Sequence, residues 1–316
     1  MPNRAKIAII GAGAVGAACA YACMLRRVPA ELIMVDVVES TLEGQVLDLS
    51  DANFLTPMQV SKGTNKEAGQ CNVIIITAGV KQRDANEPRS ELIMTHDMQL
   101  IERNYKVLKS IIDGMQPIRK DAILMLVSNP VDVLAFLAHK ISGLPHSQVI
   151  GSGTFLDSMR LRGILAHQLG MSENALHCYV MGEHGDRQFV GWSSASVGCV
   201  RLCDHPAMRG VDLDAIEQQV MRKAYDIIER KGATCFGIGA CVASLCDTIL
   251  NDLRDVRPIS CWSEEHQCYV SRPAVVGLDG VHAILDLVLN EKEQERLNKA
   301  VQSIQASCQT CDKPAS

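Results

Sequence analysis

Residues 6–36 read KIAIIGAGAVGAACAYACMLRRVPAELIMVD, and this stretch decides the fold. KIAII (6–10) is an apolar run without in/out alternation, the mark of a strand buried on both faces of a parallel sheet. Gly11, Gly13 and Gly16 follow it and open a helical pattern over Ala14–Leu25. A second apolar run, ELIMVD (31–36), ends in Asp36, 20 residues beyond Gly16. In such a strand–turn–helix–strand unit each glycine has a task. Gly11 makes the tight turn, Gly13 lets the backbone approach a pyrophosphate, and Gly16 lets the helix pack close to the sheet. The helix N-terminus turns unpaired N–H groups and a positive dipole end toward the phosphates. Asp36 stands where an adenosine ribose would present its hydroxyls, the plainer reading being a solvated strand-end acid. A carboxylate there repels a 2′-phosphate, so NAD is expected over NADP. The uncharged run from Ile7 to Leu25, preceded by Arg4 and Lys6, could pass for a membrane span or leader. Its three glycines and the strand after it argue for the nucleotide-binding unit instead.

The pattern repeats outward. NVIIIT (72–77) and AILMLV (122–127) are further strand-like runs, with a helical pattern over Leu100–Ile112 between them. Alternating strands and helices predict an α/β fold, a Rossmann-type doubly wound parallel sheet. The second half is mixed α+β. Helices are expected over 155–170, 213–231 and 234–250, strand-like segments near 177–181 and 189–200, and a hairpin over 256–276. The Gly-Ser-Gly at 151–153 marks the expected boundary, giving a dinucleotide-binding domain over 1–152 and a substrate domain with a C-terminal helix and tail over 153–316. The composition of the 316 residues, 47% hydrophobic and 21% charged, is that of an ordinary globular protein. A net charge of −5 with no basic stripe gives no support to a nucleic-acid partner. The 13 cysteines show no secretory framework and read as reduced and buried. The one CxxC, Cys308 and Cys311, falls in what reads as a polar tail, and no metal-ligand cluster accompanies it.

The stretches ITAG (76–79), VSNPVD (127–132), GSGTFLDSMRLR (151–162) and GEHGD (182–186) together make the chain resemble the L-lactate/L-malate dehydrogenase family over nearly its whole length. KQR, EPR, LIERN, MQPIR and KGAT bring it nearest, within that family, to the fungal lactate dehydrogenases. The resemblance implies His184 as the acid/base and Asp157 as its orienting partner. A buried carboxylate on the second ring nitrogen fixes the tautomer and favours the imidazolium. It implies Arg160, on the same helix side as Asp157, as the grip on a substrate carboxylate. Asn129 would touch both substrate and nicotinamide ribose, Thr234 would lie beside the substrate, and Ile238 would wall the nicotinamide. Val15, Thr77, Ala78, Gly79 and Val127 would complete the NAD groove. Arg89 would be the loop arginine that meets the charge developing on the carbonyl oxygen.

The loop departs from the family by one added residue. Counting forward from Gly79 puts Gln82 at the substrate-reading position, and counting back from Arg89 puts Arg83 there. Glutamine suits pyruvate and arginine suits oxaloacetate. Gln82 is preferred, because it follows directly from the fixed strand end, and L-lactate is the expected substrate, with malate and 2-hydroxyisocaproate as alternatives. An added segment around LIMTHDMQ (92–99) has helical spacing, and its His96 is expected at the surface. Arg162 and His177 match a pair that bacterial relatives use for fructose 1,6-bisphosphate, the plainer role being an interface salt bridge. The family also implies a cytoplasmic homotetramer in glycolysis. A catalytically silent NAD-binding homologue and a Rossmann-type nucleic-acid binder are the rivals from other classes.

Overall fold

The computed structural model describes residues 4–80 and 93–311. Gln82, Arg83 and Arg89 lie outside the described residues, as does the side chain of His96. In the first half, β1 (Ala5–Ile10), α1 (Ala14–Leu25), β2 (Ala30–Val35), α2 (Glu39–Ser50), β3 (Val60–Lys62), α3 (Asn65–Ala68), β4 (Val73–Ile76), α4 (Ile93–Met115), β5 (Ile123–Leu126), α5 (Val131–Ser142) and β6 (Val149–Gly151) follow in order. The strands pair in parallel as β3-β2-β1-β4-β5-β6. This is the doubly wound order, reversing between β1 and β4, and ligands of such sheets bind at the reversal. The missing alternation of KIAII now has its cause. Ile7 and Ile9 pack with Cys19, Ala20 and Met24 of α1, whereas Ala8 and Ile10 share a core with Leu108 and Ile112 of α4. Each fully buried aliphatic side chain adds about 1.5–3 kcal/mol, so both faces of the sheet stabilise the fold.

The second half comprises α6 (Phe155–Leu169), β7 (Leu176–His177), β8 (Val180–Gly182), β9 (Gln188–Val190), β10 (Ser196–Val197), β11 (Val200–Arg201), α7 (Leu213–Lys231), α8 (Phe236–Leu250), β12 (Asp255–Ser263), β13 (Cys268–Gly277), β14 (Gly280–Ile284) and α9 (Glu291–Cys311). The β12–β13 hairpin joins the first sheet through β6, and the ladder runs on as β6-β12-β13-β8-β9. One row across it, Gly151–Ser260–Ser271–Gly182, consists of small residues only.

Three expectations change. α4 begins at Ile93 rather than Leu100, so the added segment lengthens a helix. α8 begins at Phe236, which leaves Thr234 in the connection after Gly232, whose φ of +82° ends α7. Cys308 is not in a polar tail. Leu297, Val301, Ile304 and Cys308 recur at helical spacing on α9 and pack into the core, which orders the segment as helix. Cys19, Cys23, Cys71, Cys178, Cys235, Cys241, Cys246, Cys261, Cys268 and Cys308 are buried, whereas Cys199 and Cys203 are exposed. Among the described residues no helix is long and apolar enough to cross a membrane, and the uncharged run near the N-terminus is β1, a turn and α1.

Candidate active site

The glycine-rich turn sits at the sheet's reversal point. Gly11 has φ +107°, and a Cβ there would come within 2.7 Å of Ala78 N and Thr77 Oγ1. A Cβ on Gly16 would run into the Gly11 carbonyl oxygen, so the start of α1 and the turn touch backbone to backbone. Gly13 differs: a Cβ there would meet no protein atom within 4 Å. It caps α1 in extended geometry with no side-chain cap, leaving the first N–H groups of the helix open to an anion. The cradle fits a pyrophosphate, and a side chain at Gly13 would fill it. Asp36 fixes the other wall. Its Oδ2 accepts a hydrogen bond from Ala12 N (2.6 Å) and its Oδ1 accepts one from Val38 N (2.9 Å). The carboxylate therefore holds the turn. The Thr77 hydroxyl donates to the carbonyls of Ile10 (3.1 Å) and Gly11 (3.0 Å), so it braces the turn from β4. Val15, Thr77, Ala78, Val127, Asn129 and Ile238 are half-buried and Gly79 is exposed.

The second part of the site is assembled by α6. Asp157 and Arg160, one helical turn apart, are both buried, and Arg160 Nη1 donates to Asp157 Oδ1 at 2.9 Å. The other carboxylate oxygen, Oδ2, faces Nδ1 of His184 at 3.0 Å. The Asp157 side chain is 3% exposed and that of His184 is 27% exposed. Among the described residues Nε2 of His184 has no hydrogen-bond partner, so this is the nitrogen left for a ligand. The segment carrying His184 is held by Asp132, whose Oδ2 accepts from the His184 backbone N–H at 2.9 Å. Burial alone would push the imidazole pKa down. The charge and hydrogen bond of Asp157, helped by the charge of Asp132, outweigh it and raise it above the usual histidine value. Burial would likewise raise Asp157, but His184 and Arg160 together hold it below the ordinary carboxylate range.

Asn104 and Asp132 were not singled out by sequence reasoning. Asn104 is 3% exposed. Its Oδ1 accepts from Val80 N and its Nδ2 donates to the Asn129 carbonyl, both at 2.7 Å. One amide thus ties the end of the β4 segment to Asn129. The signal was an asparagine within the apolar face of IERNYKVL; for Asp132 it was a lone acid in the apolar run VDVLAFLA. The α8 segment closes the site. A Cβ on Gly239 would meet Ala18 O at 2.7 Å and one on Gly237 would meet Leu156 at 2.8 Å, so Ile238 lies where α8 presses on α1 and α6. Arg162 donates from Nε to Cys178 O (3.3 Å) and stacks over Tyr179, while His177 is exposed on β7.

A dinucleotide cradle and a carboxylate-held histidine in one chain suit hydride transfer coupled to proton transfer, and comparison with known proteins agrees. Residues 5–151 match the lactate/malate dehydrogenase NAD-binding domain, and residues 154–313 match the alpha/beta C-terminal domain of the same family. The chain belongs to the lactate/malate dehydrogenase family. NAD is its cofactor, and its fold is the family's Rossmann-like sheet followed by an α/β half. It is 44% identical to L-lactate dehydrogenase A of Rhizopus oryzae, covering 97% of this chain and 93% of that one. L-lactate dehydrogenase of Clostridium botulinum strain Loch Maree is 35% identical, with 96% and 95% covered. Among solved structures, the minor L-lactate dehydrogenase of Enterococcus mundtii superposes with a TM-score of 0.90 at 32% identity, covering 98% of this chain and 99% of that one. MGS-M5, a lactate dehydrogenase from a Medee basin deep-sea metagenome library, gives 0.89 at 35% identity, with 98% and 100% covered.

Proposed function

We propose that the protein is an NAD-dependent L-lactate dehydrogenase that interconverts L-lactate and pyruvate. The observation that carries this reading is the sharing of one buried carboxylate. Asp157 binds Nδ1 of His184 with one oxygen and Arg160 with the other. His184 then points a protonated Nε2 at the keto oxygen, and Arg160, bound to Asp157 through Nη1 alone, keeps its remaining N–H groups for the substrate carboxylate. When bound, NADH supplies the hydride to the keto carbon. His184 gives its proton to the oxygen as negative charge develops there, and takes it back in the reverse direction. Gly11, Gly13, Gly16 and Asp36 would hold the dinucleotide, with Val15, Thr77, Ala78, Gly79, Val127 and Ile238 along its groove. Asn129 and Thr234 border the substrate. Gln82 reads the methyl side of pyruvate and Arg89 supports the carbonyl oxygen.

The finer features follow the same reading. The 1–152 and 153–316 segments act as cofactor and substrate halves. The enzyme works as a homotetramer in the cytoplasm, at the pyruvate-reducing end of glycolysis. Arg162 and His177 offer an anion site between subunits for fructose 1,6-bisphosphate. The deciding experiment compares NADH oxidation with pyruvate, oxaloacetate and 2-ketoisocaproate, then repeats it with Gln82→Arg. Pyruvate should be preferred, and the variant should gain oxaloacetate turnover. Preference of the wild type for oxaloacetate overturns the lactate assignment, and turnover on none of the three overturns the dehydrogenase assignment.

A further inference from the structure

The proton donor has a second buried acid beside it. Asp132 lies in the first turn of α5 and is 2% exposed, and its Oδ2 receives the His184 backbone N–H. Room for it comes from the row of small residues beneath. Gly151, Ser260, Ser271 and Gly182 stand side by side across β6, β12, β13 and β8. A Cβ on Gly151 would meet Val131 at 2.8 Å, and one on Gly153 would meet Ser271 Oγ at 2.6 Å, so nothing larger fits under the helix. Ser260 and Ser271 are both wholly buried, and both lie near enough to the carboxylate to favour its ionised form. Neither hydroxyl nor Asp132 Oδ1 finds a well-formed hydrogen bond, so two buried hydroxyls and one carboxylate oxygen are left without close partners.

The charges around this acid are unevenly matched. Asp157 has Arg160 on one oxygen, and that pair is close to neutral. Among the described residues, no lysine or arginine pairs with Asp132. Its other neighbours are the Cys261 and Cys268 thiols on β12 and β13, both pushed up to about 12 by burial, and Glu183 in the His184 segment, itself raised by burial and paired with Arg187. The cation left to answer Asp132 is the imidazolium of His184. Burial pushes the Asp132 carboxyl above its usual range, and the hydroxyl of Ser260, the backbone N–H and charge of His184 and the hydroxyl of Ser271 pull it back only in part, so its ionised form depends on the imidazolium beside it. With both charged, the set Asp132, Asp157, Arg160 and protonated His184 is neutral; with Asp132 made permanently neutral, protonating His184 leaves one buried positive charge, which burial disfavours.

We propose that Asp132 is a second positioning carboxylate for His184: it anchors the segment that carries the imidazole and supplies the net negative charge that keeps the ring protonated before substrate arrives. The proposal rests on the reading of His184 as the proton donor. Once a 2-keto acid brings its own carboxylate to Arg160, that negative charge replaces part of what Asp132 provides. The acid therefore matters most to the enzyme–NADH complex awaiting substrate.

The test is the pH dependence of pyruvate reduction by the full-length protein at saturating NADH, with NADH fluorescence titration to verify folding. Asp132→Asn keeps an oxygen for the His184 N–H but is neutral. Its alkaline limb of kcat/KM should move to lower pH by about one unit. The limb of kcat should move less, a split that a purely structural role would not give. Ser271→Ala removes one hydroxyl that favours the ionised acid, and should shift the kcat/KM limb in the same direction by a smaller amount. An unmoved limb in an Asp132→Asn protein that binds NADH normally overturns the proposal. If that variant does not fold, an unmoved limb in Ser271→Ala overturns it. A wild type that reduces no 2-keto acid overturns the dehydrogenase reading itself, which separates the two failures.

Discussion

Asp157→Asn perturbs the centre of the site. The carboxylate makes two bonds to charged partners, 3.0 Å to His184 and 2.9 Å to Arg160, and at 3% exposure water does not screen them. A hydrogen bond to a charged group contributes about 1.5–3 kcal/mol. Asparagine can offer one oxygen to Nδ1–H, but its amide NH₂ then faces the guanidinium, leaving Arg160 buried without an acceptor. Breaking one side of such a buried pair costs about 3–5 kcal/mol of folding stability. Loss of about 1.5–3 kcal/mol of imidazolium stabilisation corresponds to about 1–2 pH units, at 1.36 kcal/mol per unit. The sign follows from the direction of the histidine shift. His184 is raised in the folded protein, so its protonated form contributes stability below the unfolded value, and this is lost as pH rises through the folded one. Reduction of pyruvate should fall over that same rise, and in the variant it should fall at lower pH. Misorientation of the ring should also lower the plateau rate by roughly 10²–10⁴-fold. The assay is kcat/KM for pyruvate from pH 5.5 to 9 by NADH absorbance, paired with thermal melting. A variant that keeps both its plateau and its limb would refute this role for Asp157.

Other perturbations separate binding from folding. Gly13→Val should melt near wild type yet weaken NADH binding at least tenfold by fluorescence titration, because its side chain fills open space; Gly16→Ala should instead lower the melting temperature, because its Cβ meets the Gly11 carbonyl. Asp36→Ser should narrow the preference for NADH over NADPH in matched turnover assays, and also weaken NADH binding, since Ala12 N loses its acceptor. Asn104→Leu should cost about 2–3 kcal/mol in denaturant unfolding, because it strands Val80 N and the Asn129 carbonyl, and should lower kcat for pyruvate. Asp157 is lowered in the fold, so its stabilising contribution should be present above the ordinary carboxylate range and decay in acid titrations as pH falls through the depressed value.

Much of this was legible in the sequence where one local rule dominates. α1 over Ala14–Leu25 and α7 over Leu213–Lys231 coincide with the predicted helices, since a glycine turn opens one and a left-handed glycine closes the other. The short strands β3 and β6 left no apolar run long enough to read. The approach of His184 to Asp157 followed from resemblance and not from any local pattern, because 27 residues separate them. The hydrogen bonds of Asn104 and Asp132 are tertiary: each side chain meets backbone that is distant in the chain, so no periodicity announces them.

The junction at β6 has a consequence for how such a molecule can be rebuilt. Gly151 ends the parallel array, and its neighbour in the ladder is Ser260 of the hairpin, so the main chain of one half is stitched to that of the other. Cutting the gene near codon 152 and grafting a foreign C-terminal half would have to recreate that seam with matched small residues on both sides. Chimeras that respect the row should assemble, and those that place a bulky residue in it should yield insoluble product, even when both parents are robust enzymes.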